Sequence, residues 1–439
     1  MREKYVFVFL RPPEKIPLQD LALNKVFWIE WGDMSQDFKK LMAARFLFTF
    51  AVQMQAVILG WRMYDLMKDP LSLGLIGLTE AVPALGLALY AGYLTDRSRP
   101  LKVYQGVLSV SLLSGLVVLV SQVFAQHFSP ALQAGALYGA SFLTGTARAF
   151  AQPAIFAFVP RMVERARLPK ATAHMSVAMQ VARIVGPAAG GLLYGFIGMT
   201  NTSWLVALLL VGGIYALLKI KANPEPLPPS GRHASAKEEL FSGARFVFRH
   251  PILLPALSLD MISVLFGGVT ALLPIFAKEI LLIGPKGLGV LRAAPAVGAT
   301  LMSFSLTKFD LSRKAGPWLF TAVSGFGLCI LVFGISRDFY LSLLALGLSG
   351  AFDSISMVVR SAAVQLASPD DMRGKISAVN SIFIGSSNEI GEFESGVAAR
   401  LLGTVPSVIF GGMMCLVTVA VVAWTSPTLR RMDLNKIKG

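Results

Sequence analysis

The chain has 439 residues, of which 54% are hydrophobic and only 15% are charged, and its mean hydropathy is +0.63. These values exclude an ordinary soluble globular domain and indicate an integral membrane protein. The net charge of +15 does not indicate nucleic-acid binding, because the Lys and Arg residues lie mostly between apolar runs, where a positive-inside distribution explains them.

The first 40 residues form a polar extension that precedes the first apolar span. Their single apolar patch, residues 5–10, is too short to cross a bilayer or to form the core of a secretory signal. We therefore expect residues 1–40 to be a cytoplasmic N-terminal extension. Met34 lies just before the first span, so translation that starts there is an alternative.

Twelve apolar spans follow the extension. A run of about 20 apolar residues at ~1.5 Å per residue is long enough to cross the ~30 Å hydrocarbon core of a bilayer. The predicted spans are residues 41–62, 71–93, 101–124, 130–156, 172–197, 203–220, 252–277, 286–306, 315–335, 338–361, 376–400 and 404–425. The spans predict an N-terminal six-helix bundle (41–220), a linker (221–251), a C-terminal six-helix bundle (252–425) and a tail (426–439).

The connecting segments alternate in charge. Basic residues follow spans two, four and eight, whereas the loops 125–129 and 198–202 contain no Lys or Arg. Because positive residues favour the cytoplasmic side, both termini and the linker are expected on the cytoplasmic face of a bacterial inner membrane. The last part of the linker, residues 238–249, has helical character and indicates an interfacial helix.

The two halves contain related sequences. Residues 184–191 align with residues 389–396, and residues 78–86 align with residues 290–298. Parallel six-helix repeats are typical of transporters that enclose a site near the middle of the membrane. The expected fold class is an all-α membrane protein with twelve transmembrane helices in two pseudo-symmetric six-helix bundles.

The segment after span two resembles the signature of the major facilitator superfamily. Gly92, Asp96 and Arg97 match that signature, whereas Arg99 and Pro100 depart from it. The resemblance covers about residues 38–425 and implies the major facilitator fold, with a gating role for the three matching residues.

Two narrower resemblances bear on function. Gly186, Pro187, Gly190 and Gly191 are similar to the helix-five motif of the exporters of the superfamily, which favours efflux and implies a conformational role. Further segments resemble the branch that includes the enterobactin exporter and related efflux permeases; they are residues 147–150, 260–268, 291–298 and 388–396. This branch implies export of an organic solute.

Many ionisable residues lie within the spans. A charge at the centre of a spanning helix costs about 2.5–3.5 kcal/mol on insertion scales, so such residues usually line a pathway. The candidates for the substrate and proton pathway are Glu80, Arg148, Asp260, Asp353, Glu389 and Glu392, and those for gating include Arg183, Arg292 and Arg360. In the fold that the resemblance implies, spans one, four, seven and ten face the central cavity, which places Arg148, Asp260 and Asp353 there.

These candidates have alternative roles. Arg148 either contacts the substrate or pairs with an acidic neighbour to hold the halves together, and Arg183 either forms a structural pair or contacts the substrate. Asp260 is a proton site or a gate near the cytoplasmic end of its span. Glu389 and Glu392 share a helical face, where they either carry a coupling proton or are neutralised by arginines.

The sequence predicts a secondary active transporter that exports a hydrophobic or amphipathic organic solute, such as a siderophore or a drug, in exchange for protons by alternating access. It contains no Gly-x-x-x-x-Gly-Lys-Ser/Thr motif, so the proton gradient is the expected energy source, with no cofactor. Alternatives are an importer, a lysophospholipid flippase and a non-transporting sensor. We expect a monomer in the lipid bilayer without enzymatic activity, a metal site or a nucleic-acid partner, and inert cysteines at Cys329 and Cys415.

Overall fold

The computed structural model describes residues 34–222, 236–306, 308–309, 311–369 and 372–436. In these ranges the chain is helical, with short connections and no strand. Most of the predicted N-terminal extension and the Pro-rich start of the linker lie outside the described residues. The side chains of Asp96 and Glu389 also lie outside the described part, although their helices are within it.

A helix occupies each predicted span, and we keep the span numbers for these helices. Their bounds are Gln36–Met67 (span one), Pro70–Gly86 and Ala88–Arg97 (two), Pro100–Val123 (three), Pro130–Met162 (four), Leu168–Leu218 (five and six), Leu253–Gly267 (seven), Gly284–Leu306 (eight), Ala315–Ile335 (nine), Phe339–Ala367 (ten), Arg373–Leu402 (eleven) and Thr404–Thr425 (twelve). Span seven continues through short irregular turns to Ile280.

The helix ends follow local chemistry. Ser35, Ser129 and Asp338 cap spans one, four and ten, because each side chain accepts a hydrogen bond from a backbone N–H of the first turn. Helix Leu168–Leu218 has 51 residues, about 77 Å at 1.5 Å each, which is more than twice the hydrocarbon thickness. It breaks at Gly198, whose φ of 80° suits glycine, so spans five and six reverse there.

Eight helical segments of the described chain are long and apolar enough to cross a membrane, by length and composition. One of them, Arg165–Leu218, contains both span five and span six. Span two is divided at Leu87, and spans four and eleven are more polar, so these three are not among the eight. The structure is therefore an all-α bundle of membrane-spanning helices, and the full count of twelve crossings stays a prediction.

The sequence repeat corresponds to equivalent close contacts between helices. A side chain at Gly145 of span four would overlap the carbonyl oxygen of Glu80, and one at Gly350 of span ten would overlap that of Pro295. The two glycines are separated by 205 residues, the same offset as in the alignment of residues 184–191 with 389–396. The duplicated halves therefore pack their helices in the same way.

A second pair of glycines shows the same relation. A Cβ on Gly186 of span five would lie 2.7 Å from the Cβ of Gln53, and one on Gly391 of span eleven would lie 2.8 Å from the carbonyl oxygen of Leu265. Small residues allow such close approach of helix backbones within a membrane. Span five thus packs on span one as span eleven packs on span seven.

The linker helix Ala236–Arg249 packs on the C-terminal half. Val247 is fully buried in a cluster with Leu253 and Ile376, which lie on spans seven and eleven. His250 accepts hydrogen bonds from the N–H groups of Ile252 and Leu253 through Nδ1, both at 3.2 Å, and so caps span seven. Burial lowers the pKa of His250, which keeps this nitrogen an acceptor.

The bundle has two ends. The end that carries the linker is called the linker face, and it includes the connections at residues 98–99, 163–167, 219–222, 250–252, 311–314 and 368–369. The opposite end is called the far face, and it includes the connections at residues 68–69, 124–129, 198, 281–283, 336–338 and 403.

Candidate transport pathway

The two halves meet tightly near the far face. A Cβ on Gly191 of span five would lie 2.6 Å from the Cα of Gly289 of span eight. On the other side of the bundle, a Cβ on Gly396 of span eleven would lie 2.7 Å from the Cα of Gly74 of span two. Because backbones touch at both places, the pathway is closed at this end.

Polar contacts reinforce the closure of the far face. The Tyr64 hydroxyl donates a hydrogen bond to Glu279 Oε1 at 2.6 Å, and Lys278 forms an ion pair with Asp65. Both contacts join span one to the end of span seven. Sequence reasoning missed Lys278 and Glu279, because their partners lie more than 200 positions away in the chain.

Closer to the linker face, spans five and eight stay joined at Gln180, whose Nε2 donates a hydrogen bond to Thr300 Oγ1 at 2.7 Å. Spans four and ten line opposite sides of the cavity, and in the described residues these two helices do not pack closely together. The side chain of Arg148, near the middle of span four, is 45% exposed. The contacts at Gly191 and Gly396 thus close the bundle at the far face, and the exposed side chain of Arg148 lies on the linker-face side of them.

Arginine residues dominate the N-terminal wall of the cavity. Arg148 forms an ion pair with Glu80 of span two. Arg183 of span five is close enough to Arg148 for their charges to repel, and Arg45 of span one is similarly close to Arg183. Arg45 also donates a hydrogen bond to Gln152 Oε1 at 2.8 Å. Glu80 belongs to the same half as Arg148, so this pair does not hold the two halves together.

Arg292 joins the halves at the centre of the bundle. Its Nη1 donates a hydrogen bond to the carbonyl oxygen of Ala56 at 3.1 Å, and Glu392 and Glu80 are the acidic residues that stabilise its charge. Glu392 lies against span two, since a Cβ on Gly77 would be 2.8 Å from its Oε2. The alignment places Glu80 opposite Arg292, and in the fold these equivalent positions approach each other across the interface.

The C-terminal wall contains a recess of about 880 Å³, counting the space open to solvent. Asp260 and Arg360 form a buried ion pair at its edge, and the Ser356 hydroxyl donates to Asp260 Oδ1 at 3.3 Å. Asp353 lines the same recess, and in the described part of the chain its carboxyl group has no hydrogen-bond or ion-pair partner. The two acidic residues predicted on this wall therefore differ, since one is neutralised and the other is not.

The buried pair predicts a non-additive effect on stability. Arg360→Met leaves Asp260 buried without its partner and is expected to cost about 3–5 kcal/mol. The double variant Asp260→Leu, Arg360→Met removes both charges and is expected to be more stable than the single variant. Thermal unfolding in detergent measures both, and equal melting temperatures would contradict the role assigned to the pair.

The remaining predicted gating residues lie at two levels. Near the linker face, no atom lies within 4 Å of a Cβ built on Gly92, and Arg97 Nη1 donates to the Tyr93 hydroxyl of its own helix at 2.6 Å. Deeper in the bundle, Gly190 packs on span one, since a Cβ built on it would lie 2.9 Å from the Cα of Met54. Pro187 lies inside an unbroken stretch of helix, next to Gly289 of span eight.

Comparisons with known proteins agree with this architecture. A profile of the family described as transmembrane secretion effector matches residues 30–438. The enterobactin exporter EntS of Escherichia coli O81 (strain ED1a) is 24% identical over 278 residues, which cover 63% of this chain and 66% of that exporter. The match thus spans just under two thirds of the length of this relative.

Solved structures share the fold. A POT family transporter in complex with a thioalcohol-conjugated peptide superposes with a TM-score of 0.71 at 13% identity, over 89% of this chain and 96% of that one. A bacterial homologue of the iron transporter ferroportin in an inward-facing state gives a TM-score of 0.70 at 13% identity, over 90% and 98%. At these identities the likeness shows the fold alone.

Proposed function

This chain belongs to the transmembrane secretion effector family of the major facilitator superfamily, and from that premise we propose that it is a proton-coupled exporter of an amphipathic organic solute. Its membership confirms the resemblance and the all-α transporter fold predicted from the sequence. We propose the direction of transport, the coupling ion and the class of solute. We also propose that the linker face lies in the cytoplasm of a bacterial cell.

Export is supported by the relative and by the helix-five motif. The similar curated protein is an enterobactin exporter, and Gly186, Pro187, Gly190 and Gly191 match the motif that implies efflux. With the linker face in the cytoplasm and the far face closed, the cavity receives solute from inside the cell. Closure of this end and opening of the far face would then release the solute outside.

Proton coupling is supported by one observation in particular, the state of Asp353. This carboxyl group lines the recess and has no partner within the described residues, whereas Asp260 is held by Arg360. A carboxylate inside a membrane protein carries a large charge penalty that protonation removes. Asp353 is therefore free to gain or lose a proton as the cavity changes sides, and Asp260 is not.

Everted membrane vesicles test the proposal. Vesicles from cells that express the protein, with respiration maintaining an acidic lumen, are given enterobactin and a panel of amphipathic solutes while a pH-sensitive dye reports the lumen. We expect at least one solute to raise the lumenal pH, because solute enters as protons leave. Vesicles that lack the protein are the control. Acidification of the lumen by the solute, or no response to any of them, would contradict proton-coupled export.

A further inference from the structure

The N-terminal wall of the cavity contains an unusual concentration of positive charge. Arg45, Arg148 and Arg183 come from spans one, four and five, and we call them the arginine cluster. Each lies well inside its helix, between nine and fifteen residues from the linker-face end of the span. Helical rise places them roughly 13–23 Å from that end.

The members of the cluster are close to one another. Arg45 Nη2 donates a hydrogen bond at 2.8 Å to Gln152 Oε1, one helical turn from Arg148. Thr49 and Met179, one turn from Arg45 and from Arg183, are also in contact, since Thr49 Oγ1 lies 3.2 Å from Met179 Sδ. At this spacing the three positive charges repel one another. Like charges within a protein are stable together only when opposite charges or water compensate them. Water or a negatively charged group must therefore lie beside the cluster.

The described residues supply only part of that charge. Glu80 pairs with Arg148 and also stabilises Arg292, so one carboxylate is shared. Arg45 donates to the neutral amide of Gln152, and Arg183 forms no ion pair or hydrogen bond within the described part of the chain. Arg183 is nevertheless exposed. A guanidinium group of this kind is well suited to bind an oxyanion with two parallel hydrogen bonds.

Aromatic side chains lie on the same helices as the cluster. Phe46 stacks on Phe50 with ring centroids 5.7 Å apart, directly after Arg45 in span one. Phe150, two residues after Arg148, packs edge-on against Tyr90 at 6.3 Å. Spans one and four thus carry aromatic side chains at the same depth as the arginines.

We propose that the arginine cluster is the solute-binding site for an organic anion, with Arg183 contacting the oxyanion and the aromatic residues contacting the apolar body of the same molecule. This inference rests on the proposed transport function and adds the charge class of the solute. Asp353 on the opposite wall would repel such an anion, so the anion is held on the N-terminal side.

Paired dyes test the charge preference directly. Fluorescein is an organic anion, and rhodamine 123 shares its xanthene ring system but carries a positive charge and no free carboxylate. Purified full-length protein in phosphatidylcholine nanodiscs is titrated with each dye while fluorescence polarisation is measured, and empty nanodiscs serve as the blank. We expect fluorescein to bind at least about tenfold more tightly than rhodamine 123.

Single substitutions test whether the arginine cluster causes the preference for the anionic dye. Arg183→Gln is expected to weaken fluorescein binding at least about tenfold and rhodamine 123 binding less than about twofold, because one charge-assisted contact is lost. Arg183→Lys keeps the charge and should retain most of the affinity. Arg313→Gln, on the exposed linker-face turn Ser312–Lys314, is the matched control and should change neither.

The outcomes separate this inference from the proposed function. Equal binding of both dyes, or no fluorescein binding up to about 1 mM, overturns the anion site. Gradient-driven export of a cationic solute together with that result would leave the proposed function standing. Anion binding without gradient-driven transport of any solute would support the anion site and contradict the proposed function. Loss of fluorescein binding only in nanodiscs that contain phosphatidylglycerol would support the site and assign the oxyanion to a lipid headgroup.

Discussion

Asp353→Asn is expected to abolish accumulation against a gradient while leaving solute exchange intact. Asparagine keeps the size and hydrogen-bonding capacity of the carboxyl group but does not carry a proton. One proton moved through about 100 mV supplies about 2.3 kcal/mol, or roughly a fiftyfold concentration ratio, and this contribution disappears in the variant. Proteoliposomes with an imposed proton gradient measure accumulation, and the same proteoliposomes without the gradient measure exchange of labelled for unlabelled solute.

The control for this variant lies on the same helix. Asp338 caps span ten, accepting a hydrogen bond from the N–H of Leu341 at 2.8 Å, and Asp338→Asn preserves a capping side chain. We expect this variant to accumulate solute as the native protein does. If Asp353→Asn still accumulates solute, the proton is carried elsewhere, and if exchange is lost as well, Asp353 acts in binding or folding.

Gly289→Val is expected to shift the protein away from the state in which the far face is closed. A Cβ at this position would lie 2.7 Å from the carbonyl oxygen of Pro187 and 2.8 Å from the Cα of Gly191, which no side-chain rotation relieves. Overpacking of this kind costs about 1–3 kcal/mol, so the population ratio should change by about five- to 150-fold. Because alternating access needs both states, transport should fall accordingly.

Spin labels measure this shift. Arg99→Cys and Arg313→Cys place labels on linker-face turns of opposite halves, in a background where the buried Cys329 and Cys415 are changed to Ala. Gly289→Val should shorten the distance between the labels, because closing the linker face accompanies opening of the far face. Gly106→Val, where no atom lies within 4 Å, is the matched control. An unchanged distance distribution would show that the contact between spans five and eight persists in both states.

The sequence predicted which charged residues lie within the spans, but it did not predict which of them form ion pairs. Charge inside an apolar span identified Glu80, Arg148, Asp260, Asp353, Arg292 and Glu392, because such residues are costly unless they have a role. The sequence did not show that Asp260 is neutralised by Arg360, 100 positions away, whereas Asp353 has no described partner. The sequence analysis also left Arg45 out, since it lies only four residues into the predicted span 41–62, a position typical of an interfacial residue.

The sequence by itself determined the features that depend on local composition. The lengths of the apolar runs predict which segments cross the membrane, the Lys and Arg residues predict their orientation, and the repeat predicts that the two halves are equivalent. The repeat pairs Gly186 with Gly391, and Gly145 and Gly350 are separated by the same 205 residues. In the fold, each pair forms equivalent contacts between helices. Length, charge and sequence repeat are properties of single segments, so each can be recognised without knowing how the helices pack.

Only the tertiary structure decided which charges meet and which end of the bundle is closed. Arg148 forms an ion pair with Glu80 of its own half, and Tyr64 donates a hydrogen bond to Glu279, 215 positions away in the chain. Both contacts form because helix packing brings these residues together. The proposed alternating access requires the same sequence to support both the far-face-closed state and its opposite, and such pairs of states typically differ by a few kcal/mol. Their relative population therefore depends on the summed contacts between the halves, and no local pattern encodes it.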